Sequence, residues 1–202
     1  MMDQAHGGDC TRLIYLHGFR SSPASFKARL LAQAMADLGR ADDFVCPQLP
    51  DAPAEAIRLI RQTIAPDARD VLVGSSLGGF YARAIAEDCG CRAVLLNPAL
   101  DAPRALADQI GRHERWQGGG QIEWRQSDVE ALAGIAARSL TRPERYLLIA
   151  ATGDEVLDWR DMVADLPGVR TIVIEGSDHG LSDFAAHLPT VLSFAGLIDP
   201  PA

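Results

Sequence analysis

The segment Val71-Leu72-Val73-Gly74-Ser75-Ser76-Leu77-Gly78-Gly79 constrains the fold more than any other stretch of the chain. An apolar run ends in Gly-x-Ser-x-Gly, and an Ala-rich helical pattern, Phe80-Tyr81-Ala82-Arg83-Ala84-Ile85-Ala86, follows at once. That order predicts a strand, a sharp turn and a helix, with Ser76 at the apex: a nucleophile elbow. Such a turn holds its apex residue in a strained backbone conformation, and Gly74 and Gly78 remove side chains that would collide there. Ser76 Oγ is then expected to stand above the sheet, near the helix N-terminus. Ser75 is the neighbouring alternative, but the glycine spacing centres on Ser76. The cluster lacks the Lys-Ser/Thr ending of a phosphate loop, and nothing supports a dinucleotide site.

A serine hydroxyl is a poor nucleophile at neutral pH, so this reading requires a base and an orienting acid elsewhere. In hydrolases built on such an elbow the chain order is Ser, then Asp or Glu, then His. The buried-strand pattern Arg145-Tyr146-Leu147-Leu148-Ile149-Ala150-Ala151 is followed by Thr152-Gly153-Asp154, which places Asp154 in the loop at a strand's carboxyl end. Val169-Arg170-Thr171-Ile172-Val173-Ile174 leads likewise into Glu175-Gly176-Ser177-Asp178-His179. The carboxyl ends of a parallel sheet share one edge, so Ser76, Asp154 and His179 can converge although they lie far apart in the chain. Asp158 and Asp178 are the alternative acids should Asp154 only cap the helix that follows it. His6 lies at the N-terminus, His113 in a long insertion and His187 near the start of the last helix, so none rivals His179.

The run Leu13-Ile14-Tyr15-Leu16-His17-Gly18-Phe19 is a hydrophobic strand ending in His-Gly. Its turn can present a backbone N–H to the nucleophile, and we assign the oxyanion donors to the Phe19 and Leu77 amides. His17 is read as pinning that turn by hydrogen bonding rather than as the base.

These stretches resemble the small bacterial α/β-hydrolase esterases of the YqiA/YcfP family. The resemblance rests on Tyr15-Leu-His-Gly-Phe19 with Ser21-Ser-Pro23, Pro47-Gln-Leu-Pro50, Gly74-Ser-Ser-Leu-Gly-Gly79, Asn97-Pro-Ala99, Thr152-Gly-Asp-Glu-Val-Leu-Asp158 and Glu175-Gly176 with Asp178-His179. It spans nearly the whole chain, matches only loosely from Asp101 to Arg142, and implies Ser76 as nucleophile, Asp154 as acid and His179 as base.

Composition narrows the function classes. The 202 residues are 48% hydrophobic and 23% charged, which suits one domain with a substantial core. The 19 basic residues against 27 acidic ones give a net charge of −8, against nucleic-acid or anionic-membrane binding. No signal-peptide pattern opens the chain and no apolar run reaches membrane-spanning length, so a cytoplasmic location without membrane insertion is expected. Cys10, Cys46, Cys89 and Cys91 form neither a CxxC pair nor a zinc-spaced cluster, and Cys89 and Cys91 are too close for an ordinary bridge. Reduced thiols, no metal and no cofactor are expected.

Alternation of strand and helix predicts an α/β fold with a mostly parallel six-stranded sheet and helices on both faces. Strands are read near 12–17, 42–46, 70–74, 92–97, 144–151 and 169–174, and helices near 24–38, 53–65, 78–88, 157–165 and 185–196. The two antiparallel leading strands of larger hydrolases are expected to be absent. Residues 101–143 mix short helical patterns with Gly118-Gly119-Gly120 and read as a lid-like insertion within one domain, 1–202. Arg112-His113-Glu114-Arg115 reads as a solvated face. Trp116 and Trp124 read as lid or core packing, with an acyl pocket as the alternative. The expected function is a serine esterase acting on a small-molecule acyl ester; the rivals are a thioesterase with the same residues and a non-catalytic binding protein. Oligomeric state is not legible.

Overall fold

Continuous apolar runs, rather than alternating ones, are the pattern of strands buried on both faces, and the computed structural model, which describes residues 10–135 and 139–200, arranges them that way. In chain order the elements are β1 (Leu13–Leu16), α1 (Phe26–Asp37), β2 (Phe44–Val45), α2 (Pro53–Arg58), β3 (Val71–Ser75), α3 (Leu77–Cys89), β4 (Arg92–Leu96), α4 (Ala102–Ala105), β5 (Gly111–Glu114), β6 (Gln121–Trp124), α5 (Gln126–Gly134), β7 (Tyr146–Ala151), α6 (Trp159–Ala164), β8 (Arg170–Ile174) and α7 (Phe184–Phe194). Six strands form one sheet in the order β2-β1-β3-β4-β7-β8, and every neighbouring pair in it is parallel. His6 lies outside the described residues.

Local chemistry punctuates the helices. The Ser25 hydroxyl accepts from the Ala28 N–H to cap α1, Pro53 opens α2 at its first turn, and the Asp158 carboxylate caps α6 through the Arg160 N–H. Successive residues of each central strand face opposite layers. Ile14, Leu16, Leu72, Leu95, Leu148 and Ala150 pack with α2, α3, α5 and α6. Leu13, Tyr15, Val71, Val73, Leu147 and Ile149 pack with α1 and α7. Each such aliphatic side chain, when fully buried, contributes about 1.5–3 kcal/mol. Among the described residues no helix is long and apolar enough to cross a membrane, and all four cysteines are free thiols.

Three expectations differ from the structure. Only Phe44–Val45 of the 42–46 segment pairs as strand, because Ala41–Asp43 forms a 3₁₀ turn ahead of it. The helix read over 53–65 turns π-helical at Leu59–Ile64 and ends at Ala65 in left-handed backbone. The third difference is in the insertion. Besides the short helices α4 and α5 it holds an antiparallel hairpin, β5 with β6. Arg112-His113-Glu114 is therefore strand, and Gly118, Gly119 and Gly120, all at positive φ, lie in its turn. Four-residue strands with so few inward apolar side chains give too short a pattern for period-two alternation to register.

A polar knot joins the end of α3 to the start of β7. Arg145 donates to the Glu87 carboxylate at 3.2 Å, to Thr141 Oγ1 at 2.9 Å and to the Ala86 carbonyl at 3.2 Å. Thr141 and the Tyr146 hydroxyl donate to the same carboxylate. Burial alone would raise the Glu87 pKa. The Thr141 and Tyr146 hydrogen bonds and the Arg145 charge outweigh it and hold the carboxyl below its ordinary value. With side chains only 9% and 1% exposed, Arg145 and Glu87 cannot fall back on water if separated. Arg145→Met is expected to cost about 3–5 kcal/mol, because it strands a buried carboxylate; urea unfolding of the two proteins measures this, and a loss below about 1 kcal/mol would contradict it. A carboxyl depressed on folding stabilises above its unfolded pKa, so the Glu87 contribution should fade on acidification.

Candidate active site

From β1 the chain runs outward to β2, then returns to lay β3 against the opposite side of β1. The loops leaving β1 and β3 therefore diverge, and a crevice opens between the carboxyl ends of these strands. The turn after β1, the elbow after β3 and the loops after β7 and β8 carry all five residues expected at the site.

Ser76 sits at φ 54°, ψ −120°, a strained conformation for a residue with a side chain. Hydrogen bonds hold it there. Its N–H donates to the Leu96 carbonyl at 3.0 Å, and its own carbonyl accepts from Gly79 at 2.9 Å and Ala99 at 3.1 Å. The glycines serve close approach. A Cβ on Gly74 would lie 2.3 Å from the Gly78 carbonyl oxygen, and one on Gly78 only 1.9 Å from that of Leu16.

His179 Nε2 lies 3.0 Å from Ser76 Oγ, and its Nδ1 lies 2.8 Å from Asp154 Oδ2. The other Asp154 oxygen accepts from the Val156 N–H at 2.9 Å and the Leu157 N–H at 2.8 Å. The Asp154 side chain is fully buried and the imidazole one-fifth exposed, so the carboxylate is shielded while the ring reaches the cleft. Glu155 accepts from the His179 backbone N–H at 3.0 Å. The alternatives fall elsewhere. Asp158 caps α6, Asp178 accepts from the Ser182 N–H, and Ser75 belongs to β3. His113 lies in β5 and donates to the Gln109 carbonyl. His187 sits on α7 beside Asp183.

The turn after β1 lies against the elbow: a Cβ on Gly18 would meet Ser76 Cβ at 3.1 Å. His17 pins this turn. Its Nε2 accepts from the Leu49 N–H at 3.1 Å, which leaves Nδ1 to donate to the Gly18 carbonyl at 3.0 Å. Burial lowers the His17 pKa and keeps the ring neutral. Among the described residues neither the Phe19 N–H nor the Leu77 N–H has a protein acceptor.

A cleft of about 250 Å³ opens over Ser76 and His179, lined also by Tyr15, Phe19, Lys27 and Trp116. The hairpin of the insertion forms one wall. The Trp116 N–H donates to the Arg20 carbonyl at 3.0 Å, and the Arg20 guanidinium lies 4.0 Å over the Trp116 ring. Trp116 is 64% exposed at the cleft, whereas Trp124 is packed in the core at 1%. Among the described residues no group of three or more His, Cys, Asp or Glu side chains could hold a metal ion.

Sheet, elbow and crevice together define an α/β-hydrolase fold, and solved structures agree. Est1E from Butyrivibrio proteoclasticus bound to ferulic acid matches with a TM-score of 0.65 at 14% identity, over 91% of this chain and 87% of that one. Mouse alpha/beta hydrolase domain-containing protein 10 matches at 0.62 and 17%, over 92% and 91%. At such identities the likeness speaks to the fold alone. The chain belongs to the family described as "Uncharacterised protein family (UPF0227)", which matches residues 12–196, and the YqiA/YcfP resemblance is thereby established. A UPF0227 protein of Yersinia enterocolitica is 26% identical over 189 residues, 92% of this chain and 99% of that protein.

Asn97 is a residue at this site to which sequence reasoning gave no role. Its side-chain amide donates to the carbonyls of Asp178 at 3.0 Å and His179 at 3.1 Å, and its carbonyl accepts from the Ala151 N–H at 2.9 Å. Fully buried at the end of β4, it ties the β7 end to the histidine loop. The one hint was its place in Asn97-Pro-Ala99, directly after a strand. Asn97→Ala should leave these groups unpaired, at about 1–3 kcal/mol for each one that water cannot reach. Hydrogen exchange should quicken at residues 178–182 while β3 stays protected; unchanged exchange there would refute the tie.

Proposed function

We propose that the protein is a serine hydrolase of carboxylic esters, working through an acyl-enzyme intermediate. The observation that carries this reading is the unbroken line from Ser76 Oγ through His179 to buried Asp154, opening on a cleft beside two unoccupied backbone donors. In the proposed reaction His179 Nε2 takes the hydroxyl proton as Ser76 Oγ attacks the ester carbonyl. The Phe19 and Leu77 amides receive the developing oxyanion; one such donor is worth about 2.7–4 kcal/mol in the transition state. His179 then gives the proton to the leaving alcohol, and water releases the acyl group by the same route. Asp154 keeps the Nδ1 proton in place and stabilises the charged ring.

The cleft, about 250 Å³, is smaller than the roughly 300–1,000 Å³ of pockets for drug-sized ligands. That size, with Phe26 and Trp116 exposed at its edge, favours a small acyl group, flat or short, over a long lipid chain. Four unbridged thiols suit a reducing compartment, so we read the enzyme as cytoplasmic. The β5–β6 hairpin and its flanking helices serve as a lid on a single domain.

A fluorophosphonate should label Ser76 in the folded protein, with the adduct located by peptide mass spectrometry. A label on Ser75, or none at all, would overturn the assignment. On a panel of short acyl esters and thioesters, Asp154→Asn should lose roughly 10²–10⁴ in kcat with the fold retained. Asp158→Asn and Asp178→Asn should lose far less. Ser76→Ala combined with Asp154→Asn should be scarcely worse than Ser76→Ala alone, because such residues act as a unit. A near-wild-type Asp154→Asn beside an inactive Asp178→Asn would move the acid role. Turnover of thioesters alone would move the substrate class.

A further inference from the structure

Of the 19 Lys and Arg residues, Lys27 is the only lysine. A chain that otherwise makes positive charge from guanidinium keeps one ammonium, a compact point charge with three donors that titrates readily when buried. It is buried, at 8% exposed, in the first turn of α1. A cation there is opposed by the helix dipole as well as by desolvation, so neither the helix nor solubility accounts for it. Its Nζ donates to the carbonyl of Gly180, the residue after His179, and it lines the same cleft as Ser76 and His179.

We propose that Lys27 is a positioning residue: its ammonium clasps the Gly180 carbonyl and so holds the histidine loop where the imidazole reaches both Ser76 and Asp154. Its effect on rate rests on the serine-hydrolase reading; the clasp itself does not. The groups around it are those of a site tuned for one buried cation. The loop after β7 contributes the Asp154 charge and the loop after β8 that of Asp178, and both favour the ammonium. Glu155 accepts from the His179 N–H. On β1, Tyr15 is held protonated by burial and bonds the Ser25 and Ser75 side chains. At the start of α7, Asp183 is occupied by Ser177 and His187.

Burial pushes the Lys27 pKa down to about 8 from 10.5, against the pull of Asp178 and Asp154. Above that pH the amine loses the charge that makes its hydrogen bond strong, and the loop loosens. Stability moves the other way. The folded chain gives up this proton before the unfolded chain does, so the Lys27 contribution to stability rises between its folded and unfolded values. A rate that falls across this window without loss of fold is therefore the signature of the clasp.

Labelling lysine with carbon-13 at Cε gives a single side-chain signal in the native protein. Its midpoint should lie near 8, and an ordinary value of about 10.4 would overturn the proposal. Ser76 phosphonylation by a fluorophosphonate and turnover of p-nitrophenyl acetate are then followed against pH. Both wild-type rates should fall with the midpoint of the lysine signal. Lys27→Met should be roughly 10- to 100-fold slower at neutral pH, in kcat rather than KM, and should lack that basic limb. Lys27→Arg, which keeps its charge, should recover part of the rate without the limb. Wild-type rates in Lys27→Met at every pH would refute positioning, as would a raised KM with kcat intact, which would make Lys27 a substrate-binding cation. If Lys27→Met does not fold, the wild-type comparison decides: a basic limb absent or displaced from the lysine midpoint refutes the clasp. Wild-type protein that is neither labelled nor active refutes the serine-hydrolase reading, and hydrogen exchange at residues 178–182 in Lys27→Met then decides the clasp: quickened exchange supports it and unchanged exchange refutes it.

Discussion

Gly78 lies so close to the end of β1 that a methyl group on it would stand 1.9 Å from the Leu16 carbonyl oxygen. The site depends on this contact. It seats the first turn of α3 directly on the backbone of the neighbouring strand, and Gly18 is thereby brought against Ser76. Any residue with a Cβ would push α3 off β1 and open the gap between the two proposed donors. Within van der Waals range such gaps close only by moving whole elements, because protein interiors are packed as tightly as organic crystals.

The serine half of the site is therefore held by backbone packing; in the histidine half Gly153 packs just as closely on the backbone of residues 176–177, and side chains from further elements hold the rest of the loop. β8 is an edge strand with four of its five residues exposed or only partly buried, and in the loop after it Leu181 is the large apolar side chain that reaches the core. Polar clasps add to that anchor. Asn97 holds the carbonyls of Asp178 and His179, Glu155 holds the His179 N–H, and Lys27 holds the Gly180 carbonyl. Each reaches from a different element: the ends of β4 and β7, and the first turn of α1. Hydrogen bonds are directional and short-ranged, so several from different sides fix a loop's position in a way that non-directional burial cannot.

This division explains what could be read from the residues alone. The four central strands were legible because doubly buried strands leave continuous apolar runs, whereas the two-residue edge strand β2 was read too long. The meeting of Ser76, Asp154 and His179 was legible because each follows such a run, and parallel strands deliver their carboxyl ends to one edge. The β5–β6 hairpin was not, since its few inward side chains, chiefly Ile122 and Trp124, are too sparse to set a period. Asn97 and Lys27 were given no role for another reason. Each acts on backbone carbonyls of a distant loop, and a carbonyl carries no residue identity. The π-helical end of α2 was hidden in the same way, because the change from one helical bond pattern to another is invisible in an apolar spacing that suits both.

The insertion shows how the two kinds of fixing are combined over the cleft. At its base, Trp124 is buried in the core and its indole N–H donates to the Leu106 carbonyl at 3.1 Å, while its ring meets Phe19 edge-on at 4.9 Å. Nearer its tip the contacts are of another sort: Arg115 with Asp51, and Arg20 with both the Glu114 carbonyl and the Trp116 ring. Exposed ion pairs contribute about 0–1 kcal/mol and exposed cation–π pairs about 0.5–1, much less than a buried tryptophan. The hairpin is thus firmly packed where it touches the turn after β1 and weakly tethered where Trp116 overlooks the cleft. The proposed chemistry is held by the first set of contacts, and whatever the cleft selects is shaped by the second.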